Sequence, residues 1–142
     1  MSAVVVDSSV ALSWCFEDEA SSGTEAVLDQ VRQEGAVVPN LWHLELANVL
    51  LRAERRGRNI PEGITARLGY LGRLPIATDT ETSGRAWREV LALARVEGLT
   101  TYDAAYLELA VRHGLPLATK DGALAAAAKR AGVTVLPDRT SV

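Results

Sequence analysis

Cysteine is nearly absent from this chain. Cys15 is its only one, and a lone thiol excludes an internal disulfide and every cysteine-based zinc cluster. Histidine is scarce too: His43 and His113 are the two, and both are expected at the surface or as caps, not as metal ligands. Positive charge is in deficit, with 15 Lys and Arg against 18 Asp and Glu, a net charge of −3. That balance excludes a generic basic nucleic-acid coat, so binding a polyanion requires a local patch or bound metal. No apolar run approaches membrane-spanning length, and no basic segment followed by an apolar one precedes the first strand. A cytoplasmic protein with no membrane association is expected. Repeats, linkers and low-complexity blocks are also missing. What remains is ordinary globular composition, 48% hydrophobic and 23% charged over 142 residues, which predicts one domain spanning 1–142 with a real core.

Val4-Val5-Val6 is an apolar run without period-two alternation, the pattern of a central strand covered on both faces. It stops at Asp7, after which Ser8 and Ser9 offer a cap to a short apolar segment over 10–14. A helix over 22–34 closes at Gly35, a short strand occupies 36–39, and Asn40 can cap a helix over 41–56 that Gly57 stops. Pro61 starts a further helix with Ile64, Leu68 and Leu71 at helical spacing. A weak third strand covers 74–77, and Thr80 or Thr82 opens a helix closed by Gly98. Thr100 and Thr101 cap a helix over 102–113, and strands at 117–119 and 133–136 enclose an alanine-rich helix over 123–131. Residues 138–142 read as a loose tail. Strands alternating with helices predict a three-layer α/β/α sandwich on a five-stranded parallel sheet.

Four acids stand out. Glu45 interrupts the apolar run of the 41–56 helix, in line with Asn48 and Arg52 at helical spacing. It reads either as half of an internal ion pair with Arg52 or as a carboxylate aimed into a cleft. Asp103 lies in a first helical turn, where the dipole favours an anion, and Asp121 can be an ordinary N-cap. Asp7, where a strand ends, can be a plain turn or cap residue. Singly, three of the four have a plain structural explanation, and Glu45 is the strongest anomaly. In a parallel sheet, however, all four belong to the edge where strands end and crossover helices begin, the edge at which open α/β sheets bind ligands. Two carboxylates about 5 Å apart repel by roughly 3 kcal/mol at an effective dielectric of about 20, so four together call for protons or a cation. An all-oxygen set suits Mg²⁺, with Mn²⁺ as substitute, and Thr119 is placed to hold a carboxylate or a metal-bound water as an outer partner.

The chain resembles the PIN-domain ribonucleases, most closely the VapC-type toxins of bacterial toxin–antitoxin pairs. The resemblance rests on Val4-Val5-Val6-Asp7-Ser8-Ser9-Val10, Glu45-Leu46-Ala47-Asn48-Val49-Leu50, Thr101-Tyr102-Asp103-Ala104-Ala105-Tyr106 and Leu117-Ala118-Thr119-Lys120-Asp121, and it covers nearly the whole length. The family's acidic quartet falls on Asp7, Glu45, Asp103 and Asp121, and its polar Ser/Thr on Thr119. The resemblance implies strand order 3-2-1-4-5, Mg²⁺-dependent cleavage of RNA, a homodimer, and inhibition by a cognate antitoxin.

Metal-assisted phosphodiester hydrolysis is therefore the expected chemistry. Asp7 and Asp103 are the expected direct ligands, and Glu45 and Asp121 complete the shell or orient water. Arg52, Arg55 and Arg56, with Arg58, form the one basic cluster of the sequence. They read equally as a grip on RNA phosphates and as cation enrichment at a helix C-terminus. Trp14, Phe16 and Trp42 read chiefly as core, and secondarily as anchors for an antitoxin. A rival reading makes the chain an aspartyl-phosphate phosphotransfer or phosphatase protein, with Asp7 as nucleophile and Lys120 balancing phosphate charge. It leaves Glu45 without a role and finds Ser9 where a second Asp is wanted. A third, a catalytically silent binding module, is disfavoured because no acid of the quartet is missing.

Overall fold

The computed structural model describes residues 2–58 and 61–138. Strand β1 (Val4–Val6) occupies the centre, with all three valines fully buried. Its parallel neighbours are β2 (Ala36–Val38) and β4 (Leu117–Ala118). Outside these lie β3 (Ile76–Thr78) and β5 (Val135–Leu136), so the order is β3-β2-β1-β4-β5, as expected. The chain thus steps one way from β1 to β3 and the other way through β4 to β5. Right-handed crossovers then put the connecting helices of the two halves on opposite faces. The three-layer sandwich follows, and the order reverses between β1 and β4, the switch point where such sheets bind ligands.

Register decides what meets there. Val6 pairs with Ala118, so the next residues, Asp7 and Thr119, emerge side by side. The ladder runs on through them, with Asp7 N–H bonded to the Ala118 carbonyl (3.1 Å) and Thr119 N–H to that of Leu136 (3.0 Å).

Helices α1 (Ser8–Ser13), α2 (Ser22–Glu34), α3 (Leu41–Arg55), α4 (Pro61–Gly72), α5 (Thr82–Arg85), α6 (Leu91–Glu97), α7 (Thr101–His113) and α8 (Gly122–Arg130) cover the sheet. Gly98 and Gly114 end α6 and α7 in the left-handed conformation (φ 67° and 64°), which a residue with a Cβ adopts only at a cost. Helix α7 is buried on all sides from Ala104 to Ala110. Among the described residues, no helix is long and apolar enough to cross a membrane.

Several expectations shift. The N-cap of α1 is Asp7 itself, not Ser8 or Ser9. Asn40 flanks α3 with helical angles and makes no capping bond. Helix α3, whose apolar residues run nearly all round it and so predict a largely buried helix, is covered on one face only: Trp42, Leu46, Leu50 and Ala53 line that face, while Leu44 is 77% exposed. Leu68 likewise faces solvent on α4, leaving Ile64 and Leu71 as its buried pair. The helix expected from Thr82 to Gly98 is broken by a π-helical turn, Ala86–Val90, in which Trp87 is 91% exposed. Strand β3 starts two residues later than its apolar run, and β5 is shorter than 133–136. The tail beyond Asp138 lies outside the described residues.

Candidate active site

Asp7 closes β1 and opens α1, and it is 5% exposed. Its Oδ1 accepts from the Val10 amide (3.2 Å) and the Ser9 hydroxyl (2.6 Å), and its Oδ2 from the Thr119 hydroxyl (2.5 Å). Both hydroxyls are tied to the β4–α8 turn, since Thr119 Oγ1 accepts from the Asp121 amide (3.0 Å) and Ser9 Oγ from the Lys120 amide (2.9 Å). A carboxylate has about four lone-pair positions. Three are filled by these bonds, and the Ser9 amide also lies against the carboxyl. Burial pushes the Asp7 carboxyl above its ordinary value, against the opposing pull of these hydrogen bonds.

Asp121 caps α8, its Oδ2 accepting from the Leu124 amide at 2.8 Å. Asp103 lies in the first turn of α7, and its amide donates to the capping Thr100 hydroxyl (3.1 Å). Burial raises its carboxyl, and the charge of Asp121 raises it further. Glu45 is half-buried on α3, and its Oε1 accepts from the Tyr106 hydroxyl of α7 at 2.5 Å. Burial raises the Glu45 carboxyl as well, reinforced by the charges of Asp103 and Asp7 and opposed by the tyrosine. The Tyr106 phenol is pushed far above its ordinary value, first by burial and then by its bond to Glu45. It therefore stays a donor.

The four predicted acids thus come from four separate segments; Glu45 feels the charges of Asp103 and Asp7, and Asp103 that of Asp121. Among the described residues, no three acidic, histidine or cysteine side chains are grouped so that they alone could hold a metal ion. Oxygen donors in this arrangement suit a divalent cation that takes few direct protein ligands. Mg²⁺ keeps several waters, uses one or two carboxylates plus substrate phosphates, and dispenses with an all-protein cage. Raised, mutually repelling carboxyls with hard oxygen donors suit it, and thiolate or imidazole ligands are not at hand.

Other predicted residues are placed less centrally. No ion pair joins Glu45 to Arg52; the partner of Glu45 is Tyr106. Arg52, Arg55 and Arg56 are exposed, and none of them is in an ion pair among the described residues. Arg52 and Arg56 continue the Glu45 face of α3, about 10 and 16 Å along its axis. Arg58 is drawn away: it lies over the Phe16 ring (4.0 Å to the centroid) and pairs with Asp18 at 2.7 Å. Phe16 and Trp42 belong to the core, and Trp14, packed against it, donates its indole N–H to the Thr24 carbonyl (2.9 Å). His43 and His113 are at the surface. Two contributors carry no clear mark in the sequence. Ser9 looks like a cap there, and Tyr106 looks like core; only its odd hydroxyl in a buried row hints at a partner.

Comparison with known proteins agrees with this architecture. A profile of the PIN domain family matches residues 4–130. Ribonuclease VapC3 of Pyrobaculum aerophilum is 30% identical over 122 residues, 86% of this chain and 92% of that protein. The crystal structure of PAE2754 from Pyrobaculum aerophilum superposes with a TM-score of 0.69 at 26% identity, covering 94% of this chain and 89% of that one. FitAcB from Neisseria gonorrhoeae shares the fold, with a TM-score of 0.53 at 20% identity over 93% of this chain and 95% of that one. The profile match runs through all four segments that carry the acids, and with it the chain belongs to the PIN domain family.

Proposed function

We propose that the chain is a Mg²⁺-dependent ribonuclease, the toxin of a toxin–antitoxin pair, acting in the cytoplasm as a homodimer of single 1–142 domains and silenced by its antitoxin. The observation that carries the chemistry is the set of ties around the acids at the switch point: Thr119 joins Asp7 to the turn that carries Asp121, and Tyr106 joins Glu45 to the helix that carries Asp103. RNA as substrate is supported by the relative named Ribonuclease VapC3.

Asp7 and Asp103 would hold Mg²⁺, with Glu45 and Asp121 beside them. Mg²⁺ bound there supplies Lewis acidity toward the scissile phosphate and offsets the charge that builds up on it. Glu45 keeps Oε2 free while Tyr106 engages Oε1, so Oε2 can take the proton of the attacking water, a task that a raised carboxyl performs well. Thr119 and Ser9 hold Asp7 fixed against the β4–α8 turn. Arg52, Arg55 and Arg56 bind flanking phosphates along α3. The phosphotransfer reading finds less support. It gives no role to Glu45 or to the Tyr106 hydroxyl bonded to it.

Total RNA incubated with the protein and Mg²⁺ should be cut to fragments ending in 5′-phosphate, and EDTA should abolish the cleavage. Undiminished cutting in EDTA, or radiolabelled phosphate trapped covalently on Asp7, would overturn this reading.

A further inference from the structure

Glu45 differs from the other three acids in what holds it. Asp7 and Asp121 bind the backbone of the helices they cap, and Asp103 sits in a capped first turn. Glu45 has no such local tie. It lies on the fifth residue of α3, and its partner is a tyrosine 61 residues further along the chain.

That tyrosine is unusually constrained. Tyr106 is 1% exposed, its ring is part of the main core cluster, and its hydroxyl reaches Glu45 Oε1 at 2.5 Å. It also follows Asp103 by three residues in α7, so the two share a helix face. One rigid ring thereby fixes the α3 acid at a set offset from the α7 acid, and it occupies one oxygen of Glu45 while leaving the other open.

We propose that Tyr106 is a positioning residue, a strut between α3 and α7 that holds the Glu45 carboxylate in the orientation from which it serves a divalent cation carried by Asp103 and Asp7. This rests on the metal-site reading above. A purely structural Tyr106, a core ring whose hydroxyl merely finds a nearby acceptor, makes different predictions, and the two separate cleanly.

The decisive measurement is Mn²⁺ binding to the RNA-free protein by calorimetry, on wild type, Tyr106→Phe, Glu45→Ala and the double variant. Outer partners of metal ligands typically set affinity by a factor of about 10 to 100. Tyr106→Phe should therefore bind Mn²⁺ about ten-fold more weakly than wild type. It should lower kcat at fixed Mg²⁺ while leaving KM for RNA unchanged. In the Glu45→Ala background the same change should cost no further Mn²⁺ affinity, because the residue it acts through is gone. Wild-type affinity in Tyr106→Phe, or an equal loss in both backgrounds, would overturn the strut. A wild type that binds no Mn²⁺ at all would instead remove the metal site itself, and the strut with it. Should Tyr106→Phe not fold, the wild type still decides. Adding Mg²⁺ should perturb the near-ultraviolet tyrosine absorption, and Glu45→Ala should abolish that difference spectrum. A wild-type spectrum indifferent to saturating Mg²⁺ would refute the proposal.

Discussion

Replacing Asp7 separates the work of its charge from the work of its shape. Asparagine nearly keeps the volume and is as good an N-cap as aspartate, so its amide oxygen can still accept from Val10 and Ser9. Its NH₂ then faces Thr119. The Thr119 hydroxyl, which already accepts from the Asp121 amide, has a second lone pair to receive it. The hydroxyl hydrogen loses its acceptor, at a cost of about 1 kcal/mol. Against that loss stands the removal of a buried charge that its surroundings disfavour, as the upward shift of the carboxyl indicates. The two effects oppose, and metal-free Asp7→Asn should stay within about 1 kcal/mol of wild type, or within about 4 °C in Tm for a domain of this size.

Asp7→Ala provides the contrast. It strips the cap, about 1 kcal/mol, and leaves three donors (the Val10 amide and the Ser9 and Thr119 hydroxyls) without their acceptor. The expected loss is about 3–5 kcal/mol. Both variants should lose RNA cleavage by about 100-fold or more, because a metal ligand is gone. Mg²⁺ at about 100 times its dissociation constant adds about 2.7 kcal/mol to a protein that binds it only when folded, and that increment should shrink in Asp7→Asn. Thermal melts with and without Mg²⁺, run beside a cleavage assay, read all of this. An asparagine variant that still cuts RNA would end the assignment of Asp7. An asparagine variant as unstable as the alanine one would show that the charge itself serves the fold.

Arg112 tests a second group of charges. It donates to both oxygens of Asp79 (3.1 and 2.9 Å) and of Glu108 (2.8 and 3.1 Å), with all three side chains mostly buried. Arg112→Ala leaves Glu108 with only the more distant Arg85 (3.9 Å) and Asp79 with the Thr82 hydroxyl (2.6 Å) and His113 (3.8 Å), and it should cost about 3 kcal/mol, read by urea denaturation. The guanidinium holds the Asp79 carboxyl well below the usual carboxylate range. A depressed folded pKa contributes stability that is complete above the unfolded value of about 3.9 and lost as pH falls below it. Wild type should therefore lose this stability below about pH 4, and Arg112→Ala should show a shallower loss; parallel pH profiles would refute the pair's role. On α3, Arg52→Glu combined with Arg56→Glu should leave Tm within about 2 °C, since both residues are exposed and unpaired. It should raise KM for RNA and flatten the salt dependence of binding, the slope falling by about 0.7 for each phosphate the protein no longer neutralises; an unchanged salt slope would exclude these arginines from the RNA path.

Much of the fold is legible in the sequence because its signals are local. An uninterrupted valine run marks the covered central strand, and glycine after an apolar stripe marks a helix end. What the sequence hides depends on partners distant in the chain. Helix α3 looks oilier than α7, yet α7 is the buried one. Hydrophobic side chains are common on surfaces, so an exposed Leu44 leaves no mark in the sequence, whereas the small residues Ala104, Ala105 and Ala110 let α7 be packed from every side. Strand β3 begins two residues after the apolar run that announces it at Leu74. Pro75 has no N–H to donate, although its carbonyl accepts from Ala36 (3.0 Å), and the paired strand runs on to exposed Thr78. The π-helical turn carries neither glycine nor proline to announce it. Ser9 and Tyr106 are hidden for one reason: each hydroxyl serves an acid whose position only the tertiary structure defines.

The acids of the site also show why a structural explanation and a catalytic one need not compete. Helices of a parallel α/β sheet start at the edge where the strands end, and a helix start favours a carboxylate through its free N–H groups and its dipole. Asp7, Asp103 and Asp121 each satisfy that local preference. The fold therefore gathers negative charge at one edge for reasons of helix stability, and a cation that relieves the crowding gains a site at little extra cost. Glu45 is the exception. It lies beyond the first turn of α3, caps nothing, and is raised by burial and by the acids it adjoins. No local rule explains a half-buried glutamate there. Function has to, and a dedicated donor, Tyr106, has to hold it in place.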